Sequence, residues 1–334
     1  MRRLSLLFAL AAALGSTTVL ADESALRQQL AGQDGWVGYK VPIAPAAGSP
    51  CCYSGDIDGA MRKARCDLDT DEGGFVSGDS TAEASSQMSV YWHVSQGRAD
   101  QVRAFSADCP VTSRRPVHWI NPVDPGDSIR AIAAWIDGNG DRHRDDTPGL
   151  AAIAMHADEE ATRTLIGLAA TAGNMARRKD AIFWLGHLRG RQGADFVEKV
   201  ATTDPSPDLR EHAVFSLSQS KEKDAYQRVR AIAQRDASGD VRGKALFWMA
   251  QMHDPRAEAD ILAALDREKT DDVREEAVFA LSQLDETRAT AALIAVVRGD
   301  YPRPVKEKAL FWLGQAGTDE ALAFLDQVLD PRRE

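Results

Sequence analysis

The sequence predicts a two-part α+β chain: a small β-rich, disulfide-bonded N-terminal domain, then an all-α superhelical solenoid of about six helical hairpins. Three observations carry this prediction. Residues 148–330 repeat with a period of 32 residues. Within each period the apolar residues recur at helical spacing. All four cysteines, and the short runs of β-forming residues, lie instead between residues 34 and 125.

The chain opens with Arg2 and Arg3, an apolar stretch from Leu4 to Leu14, and Val19-Leu20-Ala21. This pattern predicts a signal peptide over 1–21, cleaved near Ala21-Asp22, and hence a periplasmic or secreted protein. Residues 22–33 predict a short helix or tether, with Leu26 and Leu30 one turn apart. No later run reaches the roughly 18 apolar residues of a membrane span. The formal net charge is −10 with no basic stripe to offset it, which disfavours nucleic acid and anionic lipid as partners.

Short strands are expected at Trp36–Val41, Gly74–Val76, Met88–Val94, Val102–Ser106 and Pro116–Ile120. In the third of these, alternation sets Val90, Trp92 and Val94 on one face and Tyr91 and His93 on the other. Cys51, Cys52, Cys66 and Cys109 are candidates for two disulfides in an oxidising compartment. Neighbours Cys51 and Cys52 are not expected to bond to each other, so each joins either Cys66 or Cys109, and both connectivities stand. The spacing lacks the paired C-x-x-C of a structural zinc site, and a redox role lacks the same motif.

Residues 126–147 read as a helix and an acidic linker. Within it, Asp137, Asn139, Asp141 and Asp145 alternate as calcium ligands do, but Arg142 stands where such a loop needs glycine and Pro148 where it needs glutamate. A solvated linker is the better reading, and no metal or cofactor is expected.

From 148 to 330 the repeats align in four columns. Phe183, Phe215, Phe247, Phe279 and Phe311 form one; Leu185, Leu217, Met249, Leu281 and Leu313 form the second. Val197, Val229, Ile261, Leu293 and Leu325 follow, then Val200, Ile232, Ala264, Val296 and Val328. Stepping back one period reaches Ile153, Leu165 and Leu168, a degenerate first unit without the aromatic. Each unit holds two amphipathic stripes that one hairpin cannot bury alone, so neighbours must stack. A 64-residue period lies on top: Trp184, Trp248 and Trp312 alternate with Ser216 and Ala280. Trp is expected to fill space between repeats. Residues 331–334 are a tail.

The first helix of each unit carries Asp208-Leu209-Arg210, Asp240-Val241-Arg242, Asp272-Val273-Arg274 or Pro304-Val305-Lys306, each followed by two residues and alanine. In this the sequence resembles the HEAT-repeat family, particularly its short bacterial branch named after phycobilisome lyases. The resemblance covers roughly 148–330 and implies an α-solenoid. It also implies that the basic column Arg178, Arg210, Arg242, Arg274 and Lys306 is structural. Asp208, Asp240 and Asp272 are expected as helix N-caps.

One column departs from the family: phenylalanine stands where relatives usually place a charged residue. Four residues on, the same face carries His187, Gln219, Gln251, Gln283 and Gln315. This Phe/Gln stripe is expected roughly opposite the core, either packed or as a partner surface. Some HEAT-type proteins are enzymes, di-iron hydroxylases with His-Glu pairs or bilin lyases. No histidine here is followed by glutamate, and no nucleophile or phosphate-loop motif occurs. His187 and His212 read as scattered surface groups. The expected function is therefore an exported protein-interaction module with an envelope protein partner and no catalytic residues. The alternative is a metal-dependent or lyase-type enzyme with a site between the domains, drawing on His93, His118 and Cys51.

Overall fold

The computed structural model describes residues 25–55, 61–70, 85–138, 147–171 and 173–329. The expected strand at 74–76, residues 1–21, Asn139, Asp141, Asp145 and the tail at 331–334 lie outside them. In chain order the N-terminal part holds α1 (Ala25–Ala31), β1 (Gly35–Pro42), β2 (Cys52–Gly55), β3 (Met61–Ala64), β4 (Cys66–Asp67), β5 (Gln87–Ser95), β6 (Arg98–Ser106), β7 (Val111–Thr112), β8 (His118–Trp119) and α2 (Pro125–Gly138).

Alternation does set the sheet. Its order is β6-β5-β1-β8, with β1, β5 and β6 antiparallel and the two-residue β8 parallel to β1. Val37, Tyr39, Val41, Val90, Trp92 and Val94 are all buried on one face. Residues 25–31 are docked: Leu26 and Leu30 join that same core. The other face is also covered, by a second and smaller cluster. There Trp36, Tyr91 and Phe105 pack with Leu68 and the four cysteines.

Two disulfides staple this second cluster, Cys51–Cys109 and Cys52–Cys66, resolving the open connectivity. They close loops of 58 and 14 residues, which the chain-entropy model values at roughly 4 and 3 kcal/mol. For a cluster with so few apolar side chains, that contribution is decisive.

The helical part comprises six hairpins among the described residues. These are α3 (Thr147–Met155) with α4 (Glu159–Thr171), α5 (Met175–Leu188) with α6 (Gly190–Thr203), and α7 (Pro207–Ser218) with α8 (Ala225–Arg235). Then come α9 (Gly239–Gln251) with α10 (Ala257–Arg267), α11 (Asp271–Ser282) with α12 (Glu286–Arg298), and α13 (Arg303–Ala316) with α14 (Asp319–Leu329). First helices pack side by side in one layer, α5 through α13.

The degenerate first unit has a physical cause. Helix α3 packs against α2, α4, α5 and β6, so Gly149 through Met155 are buried all round. A helix enclosed on every side needs no polar face. Sheet and solenoid accordingly share one continuous core, with Ile129, Ile132 and Ile136 of α2 in it. Strand β1 runs on to meet the end of α3: the Ala44 N–H donates to the Met155 carbonyl at 2.8 Å, and Ala157 N–H to that of Pro42 at 3.1 Å.

The helix starts correct one expectation. Asp208, Asp240 and Asp272 lie inside the first turn, while the cap positions are Ser206, Ser238 and Thr270. The aspartates act on the helix dipole there rather than as caps.

Candidate interaction surface

The second-column residues Leu185, Leu217, Met249, Leu281 and Leu313 are buried. Two positions earlier, each phenylalanine leaves that buried line for its rim. The stripe therefore does not stand opposite the core. Phe183, Phe215, Phe247 and Phe279 are half-buried and lean along the neighbouring first helix.

Their rings form a ladder. Phe183 stacks on Phe215 at 5.6 Å and 12°, and Phe247 on Phe279 at 5.6 Å and 10°. Phe215 meets Trp248 at 4.8 Å, and Phe279 meets Trp312 at 5.1 Å. The 64-residue period is thus an alternation of junctions, Phe on Phe and then Phe on Trp. Small residues make the first kind possible. A Cβ on Gly186 would stand 2.5 Å from the Ser216 carbonyl oxygen, so α5 and α7 approach where only glycine fits. Each ring pair contributes about 1 kcal/mol beyond its buried area. The last rung, Phe311, is 54% exposed and meets only Trp312 of its own helix among these rings.

The polar column edges this ladder. Gln219 and Gln283 donate to the hydroxyls of Ser218 and Ser282 at 3.1 Å, and those serines donate to the carbonyls of Phe215 and Phe279 at 2.7 Å. Gln251 is half-buried and Gln315 exposed. His187 stacks on Phe183 at 5.5 Å, and His212 donates from Nε2 to the Lys179 carbonyl at 2.7 Å. Both are built into the ladder instead of being scattered on the surface, and burial holds both pKa values below the usual histidine range.

The second-helix layer is joined by charge. Arg228 of α8 reaches Asp195 and Glu198 of α6, each at 2.7 Å. Arg230 reaches Asp260 at 2.8 Å, and Arg288 reaches Glu258 at 3.0 Å. Between the layers, the basic column clamps hairpins. Arg210 bonds Asp236 through Nε and Nη2 at 2.8 Å and the Asp204 carbonyl at 3.1 Å; Arg242 does the same with Glu268 and the Asp236 carbonyl. The partner acids form their own 32-residue column, Asp204, Asp236 and Glu268, with no counterpart among the expected residues. Arg274 breaks the pattern by pairing with Asp271.

One group of residues carried no sequence signal at all. Trp92 Nε1 lies 3.1 Å from Tyr39 Oη, which lies 2.7 Å from Ser128 Oγ. Ser128 Oγ is 2.8 Å from His156 Nε2, whose Nδ1 is 2.7 Å from the Ala152 carbonyl. The end members fix every proton: indole only donates and carbonyl only accepts. Trp92 therefore donates to Tyr39, Tyr39 to Ser128, Ser128 to His156, and His156 from Nδ1 to Ala152. Burial pushes Tyr39 up to about 12 and His156 down to about 4. This relay joins β5, β1, α2 and the end of α3. It is a seam, with no open space beside Ser128 for a substrate: His156 and Ser128 are both fully buried.

The alternative inter-domain set is not brought together. Pairing across β1 sets His93 opposite Trp36 and His118 opposite Val37, on opposite faces of the sheet. His93 stacks on Trp36 and bonds Asp100 at 2.7 Å. Cys51 is in a disulfide, and the three sulfurs that cluster within 4.8 Å, those of Cys51, Cys66 and Cys109, are disulfide sulfurs. Of the weak calcium set only Asp137 is described, 3.8 Å from Arg177. No helix among the described residues is long and apolar enough to cross a membrane.

A family comparison agrees with the repeat pattern. The family model for HEAT repeats matches residues 162–246 and 229–313. No curated protein matches the chain. Among solved structures, the complex of CpcE and CpcF of phycocyanin lyase from Nostoc sp. PCC7120 is 16% identical, covering 65% of this chain and 98% of that one with a TM-score of 0.30. A computationally designed self-assembling cyclic homooligomer is also 16% identical, covering 63% and 73% with a TM-score of 0.13. Residues 162–313 of the helical array thus match the HEAT repeats.

Proposed function

We propose that this chain is a protein-binding scaffold of the cell envelope, and that its first-helix layer is the surface that receives the partner. The supporting observation is the ladder from Phe183 to Phe311. Ring pairs 4.8 to 5.6 Å apart fix Phe183, Phe215, Phe247 and Phe279 against neighbouring helices, yet these rings stay partly exposed along four repeats. Rigid aromatic groups lose little entropy on binding and favour interface centres. The Gln219, Gln251, Gln283 and Gln315 column supplies a polar rim of the kind that surrounds such centres.

The envelope location rests on two features: the charged and then apolar residues 1–21, and two disulfides in one small cluster. N-terminal sequencing of protein from its own cells is expected to begin at Asp22.

Charge placed on the rim tests the surface without unstacking the rings. Gln251→Glu with Gln315→Glu is expected to keep the wild-type melting curve and lose the proteins that wild type captures from envelope extract. Identical captured sets from the two folded proteins would reject this surface.

A further inference from the structure

The four cysteines form more than two independent staples. Cys66 Sγ lies 3.5 Å from Cys109 Sγ, so the two disulfides touch, and the sulfurs of Cys51, Cys66 and Cys109 lie within 4.8 Å of one another. The closest contact between the two bonds is that of Cys66 with Cys109, so a freed Cys66 need only turn its side chain to face the Cys109–Cys51 bond. The backbones of Cys66 and Cys109 are already held together, since Cys66 N–H donates to the Pro110 carbonyl at 2.9 Å and β4 pairs with β7 immediately after Cys109. One further contact has a direction: the Cys52 N–H donates to Cys66 Sγ at 3.0 Å. An amide aimed at sulfur stabilises a thiolate there.

We propose that this cluster is a disulfide relay, entered by an external dithiol at Cys52, which converts the two staples into one Cys66–Cys109 bond and a vicinal Cys51, Cys52 dithiol. Of the Cys52–Cys66 pair, Cys52 is the more exposed, at 7% against 1%. Attack of the dithiol's thiolate on Cys52 Sγ forms a mixed disulfide and expels Cys66 as a thiolate, beneath the Cys52 amide. Cys66 then attacks Cys109 Sγ, 3.5 Å away, forming Cys66–Cys109 and expelling Cys51, which takes up a proton. The reductant's second thiol closes on its own mixed sulfur and releases Cys52 as a thiol. Two electrons and two protons pass from one dithiol to the protein, which keeps one disulfide and gains two thiols.

The product differs from simple reduction in two ways. The bond that remains is the one between strands already paired, so β4 and β7 stay joined. The thiols that appear are adjacent in sequence, at the start of β2, and form a chelating pair for thiophilic reagents such as trivalent arsenicals. Without the sulfur contact, a dithiol entering at Cys52 would leave Cys51–Cys109 untouched.

The full chain is treated with one equivalent of dithiothreitol, blocked with N-ethylmaleimide and mapped by peptide mass spectrometry. The relay predicts label on Cys51 and Cys52 with a linked Cys66–Cys109 peptide. Label on Cys52 and Cys66 with Cys51–Cys109 intact would overturn it, as would label on Cys51 and Cys109 with Cys52–Cys66 intact. Phenylarsine oxide gives a second readout. Wild type after one equivalent of dithiol is expected to bind one arsenical per chain, and wild type left oxidised to bind at least tenfold less. Equal binding by the two would contradict the relay.

Discussion

Successive repeats meet through seams that recur every 32 residues, whereas the sheet meets the first repeat through a seam that occurs once. The recurring seams divide the work by layer. First helices are joined by rings and second helices by ion pairs such as Arg228 with Asp195 and Glu198. The single seam is a buried relay of neutral polar groups from Trp92 to His156. The difference teaches that a repeated junction can be spread over many small contributions. A junction made once concentrates its specificity in a few fully satisfied hydrogen bonds.

The largest expected effect is on the single seam. His156 is held down to about 4 when folded, against about 6.5 when unfolded. Between these values the unfolded chain binds a proton that the folded chain refuses, so stability falls as pH falls. The loss begins near pH 6.5 and reaches about 3 kcal/mol by pH 4. Urea unfolding at several pH values would show it. His156→Gln should start lower at pH 7 and lose less on acidification, and parallel pH profiles would remove this role.

A recurring seam should respond less. Trp248→Ala removes the half-buried ring between Phe215 and Phe247 and is expected to cost about 2 kcal/mol in urea. The same substitution should be indifferent to salt. Arg228→Ala leaves Asp195, Glu198 and Asp224 facing one another and is expected to cost about 1 to 2 kcal/mol at low ionic strength. That deficit should narrow in 1 M sodium chloride, where the screening length is about 3 Å. Equal salt sensitivity of the two variants would erase the distinction between layers. The smallest effect is expected at the open rung: Phe311→Ala should stay within about 0.5 kcal/mol of wild type by thermal melting.

Legibility followed the same divide. The period exposed Phe183 to Phe311, the Trp alternation and the basic column, because a repeated environment writes the same residue type again and again. It also misled locally. Helical spacing alone turns a column two residues from a buried line away from the core, but helices packed side by side cover that flank too. The Asp204, Asp236 and Glu268 column is equally periodic but carries a weaker signal, because two residue types share it. Tyr39, Ser128 and His156 left no trace, since they lie 89 and 28 residues apart and meet only when α2 wedges between sheet and solenoid. The cysteine pairing was invisible for the same reason: both connectivities satisfy the spacing, and it is the register of β2 on β3, with Cys52 opposite Ala64, that turns Cys52 to the side of Cys66.

Site-resolved crosslinking addresses the partner surface most directly. A photoreactive amino acid is placed at Gln251 or Phe311 on the ladder, and at Lys199 or Ala263 on the exposed second-helix layer, and each protein is irradiated in its own cells. The ladder positions are expected to give a discrete adduct of one mass and the second-helix positions none. Adducts confined to Lys199 and Ala263 would show that the partner binds the charged layer and that the rings serve only to hold the repeats together.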